Sequence, residues 1–113
     1  MTILENLKKK AKGNEDRMMF FARNYVISMK GTLRSLKEAL ESENYHDVGT
    51  IVHKSKSLFS SVGLDDFYRL ANHIEMGVNK RYSQEVTKEH TKDLIKDIEE
   101  SLTVFEPYID KKV

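Results

Sequence analysis

Apolar residues recur along most of this chain at the spacing of one face of an α-helix. The longest stripe advances in steps of three and four residues, which is the helical period, and it comprises Met18, Ala22, Val26, Met29, Leu33, Leu36 and Leu40. Three aromatic side chains are expected to widen this buried face: Phe20, Phe21 and Tyr25. Asn14 is suited to cap the start of the helix, which we expect to end near residues 43–44.

A short helix is predicted before this long one. Thr2, followed three residues later by Glu5, matches a capping box, and a run of lysines leads to Gly13, where the helix is expected to end. We interpret the lysine run as a solvated helix end, since lysines without interleaved aromatic residues are a weak signal for nucleic-acid binding. Residues 1–13 are therefore predicted to form a short accessory helix, and residues 14–113 the main domain.

Three more helices are predicted downstream. The third ends at Gly63, and the fourth is expected to be capped by Asp65 or Asp66. The last helix is expected over about 84–106 and is closed by Pro107. Four amphipathic helices with short connections can enclose one core, so the sequence predicts an all-α fold, an antiparallel four-helix bundle with a short extra N-terminal helix.

The composition narrows the classes of protein to which the chain can belong. Its 113 residues suit one domain. The chain has 19 Lys and Arg against 18 Asp and Glu, a net charge of +1, so it has no overall positive potential for binding nucleic acid. The absence of Cys excludes disulfides, thiolate zinc sites and cysteine nucleophiles. No apolar run approaches the ~20 residues of a membrane helix, and the N-terminus lacks the layout of a signal peptide. We therefore expect a cytoplasmic protein without membrane insertion, and the start at Met1 favours a free-standing protein over a module of a longer one.

Common catalytic motifs are missing from the sequence. It has no G-x-x-x-x-G-K-[ST] or G-x-G-x-x-G loop for a nucleotide, no H-E-x-x-H zinc motif and no paired E-x-x-H motifs for a di-iron bundle. We therefore expect no ATP site, no cofactor and no metal ligand. The remaining candidates for chemistry are the histidines His46, His53, His73 and His90. We interpret His73 and His90 as surface or partly buried residues, and His46 and His53 are too far apart at i,i+7 to share a metal ion.

His53 has an unusual setting among these four residues. On a helical wheel it lies opposite the apolar residues of its helix, so its side chain is expected to face solvent. Apart from Lys56, the residues around it are small: Gly49, Thr50, Ser57 and Ser60. Glycine, serine and threonine lower helix stability relative to the residues usual on a solvated face. Their presence around one imidazole therefore indicates a low surface that allows another macromolecule to approach His53 closely. Lys56, one turn onward, is placed to neutralise negative charge on a group that the imidazole carries or receives.

The residues from His53 onward resemble the signature of histidine-containing phosphotransfer (HPt) domains. Residues 53–64 read HKSKSLFSSVGL, and they match that signature's accepting histidine, a lysine three residues on, a small residue at four and a glycine at ten: His53, Lys56, Ser57 and Gly63. Three positions depart from the family's commonest pattern. Ser55 stands where the family usually has an apolar residue, Ser57 where glycine is most frequent, and Phe59 where alanine is common. We expect Ser55 to turn inward and to bond a carbonyl group one turn earlier.

The resemblance implies a role in multistep two-component phosphorelays. His53 would accept a phosphoryl group from the phospho-aspartate of a receiver domain, Lys56 would offset its charge, and a second receiver would then take it. The implied partners are response-regulator receiver domains and a hybrid sensor kinase, with Mg²⁺ on the receiver. The implied docking surface consists of Gly49, Thr50, Lys54, Ser57 and Ser60, with Gly63 in a structural role. The chain would be a monomeric phosphocarrier rather than an autonomous enzyme.

Two other classes of protein stay open. One is a non-catalytic helical adaptor or scaffold in which His53 is not phosphorylated, and the other is a metal-binding bundle. A histidine-kinase dimerisation domain fits less well. Such a domain pairs two long helices and carries an acidic residue after the histidine, where this chain has Lys54.

Overall fold

Every regular element of the described chain is an α-helix, as the sequence predicts. The computed structural model describes residues 2–111, and its helices in chain order are α1 (Ile3–Lys10), α2 (Glu15–Glu41), α3 (Tyr45–Ser61), α4 (Asp65–Val78) and α5 (Gln84–Lys111). Met1 of the predicted segment 1–13 and residues 112–113 of the predicted domain 14–113 lie outside the described residues. None of the helices within 2–111 combines the length and the hydropathy needed to cross a bilayer.

Side-chain caps define where four of the helices begin. In each case a side-chain oxygen accepts a hydrogen bond of 3.0–3.2 Å from the main-chain N–H three residues later, and the capping residues are Thr2, Asn14, Asn44 and Ser83. Such a bond satisfies one of the N–H groups that the first helical turn leaves unpaired. The capping roles predicted for Thr2 and Asn14 are therefore confirmed.

Two predicted helix ends are wrong. Asp65 and Asp66 lie inside the first turn of α4, where their charges suit the helix dipole, while the N-cap is Leu64 and makes no side-chain cap. Pro107 lies inside α5, which continues to Lys111. Proline has a helical φ and removes one N–H donor, so at this position it interrupts the hydrogen-bond ladder without ending the helix.

The four longer helices contact one another in a closed ring. α2 packs against α3 and α5, α4 packs against α3 and α5, and α1 lies against α2 and α5. Two ion pairs show that α2 and α5 run in opposite directions, because Lys30 contacts Glu106 at 3.6 Å and Lys37 contacts Glu99 at 2.9 Å. The molecule measures 42 × 22 × 19 Å, and its long axis matches the length of α5 at about 1.5 Å per residue.

The predicted stripe on α2 faces the core. Its fully buried or nearly buried members are Met18, Ala22, Val26, Met29 and Leu36, and Leu33 and Leu40 are half-buried. Phe20 was expected in this face, but 61% of it is exposed. It lies two residues after Met18, about 200° around the helix, and so on the side away from the core.

Tyr25 brings a polar group into the centre of the core. Its hydroxyl lies 2.7 Å from the hydroxyl of Ser101, and both residues are fully buried. Its ring packs against Phe105 and Phe59 at centroid distances of 5.0 and 6.3 Å. Burial raises the pKa of Tyr25 far above its usual value, so the phenol is neutral and satisfied by the Ser101 hydroxyl.

Gly63 forms the turn between α3 and α4, and the backbone of α1 packs directly against it. Its φ is +78°, and a Cβ at this position would lie 2.8 Å from the carbonyl oxygen of Asn6. Leu7 and Ala11, which follow on the same segment, are completely buried. The short N-terminal helix is thus part of the one core, and it reaches that core by packing directly on this glycine.

We expect Gly63→Ala to lower the free energy of unfolding by more than the ~1–2 kcal/mol that a left-handed conformation costs, because the methyl group would also meet Asn6. Gly13→Ala is a matched control, since its φ is +75° but nothing lies within 4 Å of the added carbon, and it should cost only the conformational part. Gly31→Ala, in an open helical position, should stabilise by up to ~1 kcal/mol. Urea unfolding measures all three, and equal effects at Gly63 and Gly13 would contradict the packing role.

Candidate functional site

His53 lies in the middle of α3 and faces solvent, as its helical spacing predicts. Its side chain is 68% exposed, whereas Val48, Val52 and Phe59 of the same helix are completely buried on the other side. The backbone that carries the imidazole is therefore fixed by the core, while the ring itself is accessible to a partner.

A carboxylate on the neighbouring helix forms a hydrogen bond with one ring nitrogen of His53. Oε2 of Glu75 on α4 lies 2.9 Å from Nδ1 of His53. An ionised carboxylate can only accept a hydrogen bond, so the contact requires the proton of a neutral imidazole to be on Nδ1. The other nitrogen, Nε2, then carries the free lone pair and is the nucleophilic atom of the ring.

The environment of Glu75 keeps its carboxyl group ionised. Burial alone raises the pKa of Glu75, but the hydrogen bonds with Lys56 and His53 and the positive charge of Lys56 lower it further than burial raises it. The net pKa lies below the ordinary glutamate value. At neutral pH the group is therefore a carboxylate, and it can accept the hydrogen bond from Nδ1–H of His53.

Lys56 is held by three residues of α4. Its Nζ lies 2.7 Å from Oε1 of Glu75, 2.9 Å from Oδ1 of Asn72 and 5.3 Å from the centroid of the Tyr68 ring. These residues are spaced i, i+4 and i+7 and so share one helical face. The side chain is only 19% exposed. The sequence places Lys56 on the bare outer surface, whereas in the structure its ammonium group is largely covered and already paired.

The small residues around His53 do not all have the same role. Gly49 is half-buried, and a Cβ there would lie 3.0 Å from Val78 on α4. Its missing side chain lets α3 and α4 approach closely, a packing role that the sequence interpretation did not include. Thr50 donates a hydrogen bond of 3.2 Å to the carbonyl oxygen of His46. The other residues of the predicted docking surface are the exposed Lys54 and Ser57 and the half-buried Ser60.

Ser55 turns inward, as expected from its place on the wheel. It is 4% exposed, and its hydroxyl donates a hydrogen bond of 2.8 Å to the carbonyl oxygen of Ile51. The hydroxyl is thus satisfied one helical turn back, and the polar residue is accommodated in the core at little cost.

A shallow depression runs beside the imidazole between α3 and α4. Its volume is about 290 Å³, and its lining residues are His46, Gly49, Thr50, His53, Lys54, Glu75, Val78 and Asn79. Over residues 2–111, the imidazole and carboxylate side chains form no group of three or more that could hold a metal ion. His53 contributes an imidazole to this surface, and its side chain is 68% exposed.

Sequence reasoning missed the residues of α4 that complete this site. Glu75, Asn72 and Tyr68 share a face of their helix, and that spacing is visible in the sequence. Nothing in the spacing shows that this face meets α3 at the level of His53, 22 residues earlier. The pairing follows from the way the two helices pack.

Comparison of the chain with protein-family models, with curated proteins and with solved structures gives no match. The class of site is defined by its own geometry, which is a solvent-facing imidazole with its Nδ1–H held by a carboxylate. An ammonium group one turn along the helix is fixed by the same carboxylate. Such a site can present a neutral nitrogen nucleophile at physiological pH.

Glu75 is expected to make stability depend on pH in the acid range. Because its pKa is lowered in the folded chain, the ionised group stabilises the fold above the unfolded value of ~4.3, and this contribution is lost as the pH falls through the folded pKa. Wild type should therefore exceed Glu75→Gln in free energy of unfolding at pH ~6, and the difference should shrink toward pH ~3. Urea unfolding at a series of pH values measures it.

The matched control for this experiment is Glu99→Gln. Glu99 pairs with Lys37 at 2.9 Å, but both side chains are about half exposed, so the substitution should change stability at pH ~6 by less than ~1 kcal/mol. If the difference between wild type and Glu75→Gln stayed constant from pH ~6 to pH ~3, the linkage to Glu75 ionisation would be wrong.

Proposed function

We propose that this chain is a histidine-containing phosphotransfer protein, a phosphorelay intermediate that accepts a phosphoryl group on His53 and passes it on. In this proposal α2–α5 form the antiparallel four-helix bundle and α1 is its short extra helix. The observation that carries the proposal is the hydrogen bond of 2.9 Å between Glu75 and Nδ1 of His53, because it leaves Nε2 unprotonated on an exposed ring. The HPt-like segment 53–64 supports it from the sequence.

The transfer step follows from the state of the imidazole. The Nε2 lone pair of His53 attacks the phosphorus atom of a receiver's phospho-aspartate, and the bond from phosphorus to the aspartyl oxygen breaks. The aspartate leaves as a carboxylate, while the Nδ1 proton stays on the ring. Positive charge that develops on the imidazole during attack lies next to the Glu75 carboxylate, which stabilises it. The reverse step delivers the group to a second receiver.

Lys56 supports the phosphoryl group by its charge. Its ammonium lies one helical turn from His53 and is fixed by Glu75 and Asn72, so it needs little further ordering when a phosphoryl group arrives. A lysine acts on phosphate as a point charge rather than through a fixed fork of donors. Lys56 can therefore interact with the phosphoryl group both in its trigonal form during transfer and in the tetrahedral phosphohistidine product.

The partners in this proposal are response-regulator receiver domains and a hybrid sensor kinase. The receiver brings the acidic residues and the Mg²⁺, so the chain needs no cofactor and no ATP and acts as a carrier in the cytoplasm, as a monomer, without nucleic acid or membrane insertion. The receiver docks on the surface around His53 that comprises Gly49, Thr50, Lys54, Ser57 and Ser60. Contact between them is weak and brief, since a relay must release each partner.

Phosphorylation of His53 is the direct test. We expect wild type incubated with phosphoramidate, or with receiver domains charged by acetyl phosphate, to gain one acid-labile phosphoryl group in intact-mass spectra. His53→Gln should gain none and keep its fold, because the side chain lies outside the core. His46→Gln, a substitution of another exposed histidine on α3, is the matched control and should still be phosphorylated.

Absence of the adduct on folded wild type with every donor would overturn the relay proposal. The non-catalytic adaptor would then be the better description, and His53→Gln should leave partner binding unchanged. An adduct that persists in His53→Gln would also contradict the proposal, because another residue would be the acceptor.

Two substitutions of Glu75 separate its hydrogen bond from its charge. Glu75→Leu removes both, and we expect phosphorylation by phosphoramidate to slow by about tenfold, which corresponds to ~1.4 kcal/mol of transition-state stabilisation. Glu75→Gln keeps an oxygen that can accept from Nδ1–H, so its rate should lie between those of Glu75→Leu and wild type. Initial rates by intact mass measure the effect, and a wild-type rate in Glu75→Leu would show that the carboxylate has no positioning role.

A further inference from the structure

Two histidines and a tyrosine form a separate cluster where α4 meets α5. The rings of His73 on α4 and His90 on α5 have centroids 5.8 Å apart. The ring of Tyr82, in the loop between these helices, lies 5.8 Å from His90 and 6.2 Å from His73. His73 and His90 are the two histidines to which the sequence assigns no chemistry, and the fold brings them together from positions 17 residues apart.

His90 has a buried nitrogen atom without a partner. Its Nδ1 is shielded from solvent and has no hydrogen bond to any group of the described chain. An unsatisfied buried polar atom is costly, and a bound water or ion is one kind of partner that can satisfy it. The other contact in the cluster is weak, since the Tyr82 hydroxyl lies 3.3 Å from Nδ1 of His73, beyond the usual range of such bonds.

We propose that His73, His90 and Tyr82 form a binding site for a borderline divalent cation such as Zn²⁺. Imidazole nitrogen suits zinc, copper and nickel. With Zn–N bonds of about 2.1 Å and a tetrahedral angle at the ion, two imidazole rings on one zinc have centroids roughly 5.3 Å apart. The centroids of His73 and His90 are 5.8 Å apart, so a small movement of either ring brings them to this spacing. The Tyr82 hydroxyl is the oxygen donor of the site, and solvent completes the coordination.

The cluster differs from the surface around His53 in what its imidazoles contact. Nδ1 of His53 is occupied by Glu75, whereas Nδ1 of His90 is free. The ion would join α4 to α5 across the loop over residues 79–83, and it therefore acts as a cross-link between two helices. This inference does not depend on phosphorylation of His53.

Titration of metal-free wild type with ZnCl₂ tests the proposal. We expect calorimetry to show one Zn²⁺ per chain, the melting temperature to rise, and the imidazole NMR signals of His73 and His90 to shift. His73→Ala, in an exposed position, should weaken binding by about tenfold or more. Tyr82→Phe, which removes only the hydroxyl, should weaken it less, and His46→Ala, the matched control, should bind like wild type.

Three outcomes would overturn the proposal. One is the absence of zinc binding to wild type, which would leave an ordered water as the partner of His90. Another is binding that survives in the folded double variant His73→Ala/His90→Ala. The third is binding lost in His46→Ala or His53→Gln, because the ion would then lie in the depression beside α3. Circular dichroism confirms that each variant is folded.

Discussion

The carboxylate of Glu75 joins the two helices that make the candidate site, and the rest of the site depends on it. One oxygen lies 2.9 Å from Nδ1 of His53 and the other lies 2.7 Å from Nζ of Lys56. Since both partners belong to α3, their arrangement depends on how closely α4 approaches that helix. Gly49 permits this approach, because a side chain there would press on Val78. Helix packing thus determines which imidazole nitrogen is free and where the ammonium group lies.

The Glu75–Lys56 pair contributes more to geometry than to stability. The two side chains are 24% and 19% exposed, so the loss of hydration offsets much of their attraction. Replacing one partner leaves the other partly buried without a counter-charge. This lowers the free energy of unfolding more than replacing both partners by apolar residues would. The more exposed Lys37–Glu99 pair lacks this coupling, because water solvates either member alone. A partly buried pair therefore fixes positions in a way that a surface pair does not.

Much of the fold follows from local pattern, and much of the site does not. Helical spacing was sufficient to predict the core stripe of α2 and the outward direction of His53, since both depend on one helix alone. The sequence prediction that Phe20 widens the buried face is wrong, because its angular position relative to Met18 is on the outside. Proline often ends helices, which is the reason to predict an end at Pro107, yet α5 continues beyond it. Glu75 could not be predicted, because its contact depends on the packing angle and register of two helices.

The paired state of Lys56 has a consequence for selectivity. With a neutral imidazole, the formal charges of His53, Glu75 and Lys56 sum to zero. Free phosphate and nucleotides, which are abundant anions in any cell, meet no excess positive charge within this trio and are not concentrated there. In the proposed function, efficient transfer then depends on a partner that aligns its own reactive group with Nε2. The electrical neutrality of these three side chains thus gives free anions no net attraction to them, although the depression beside His53 is shallow and open.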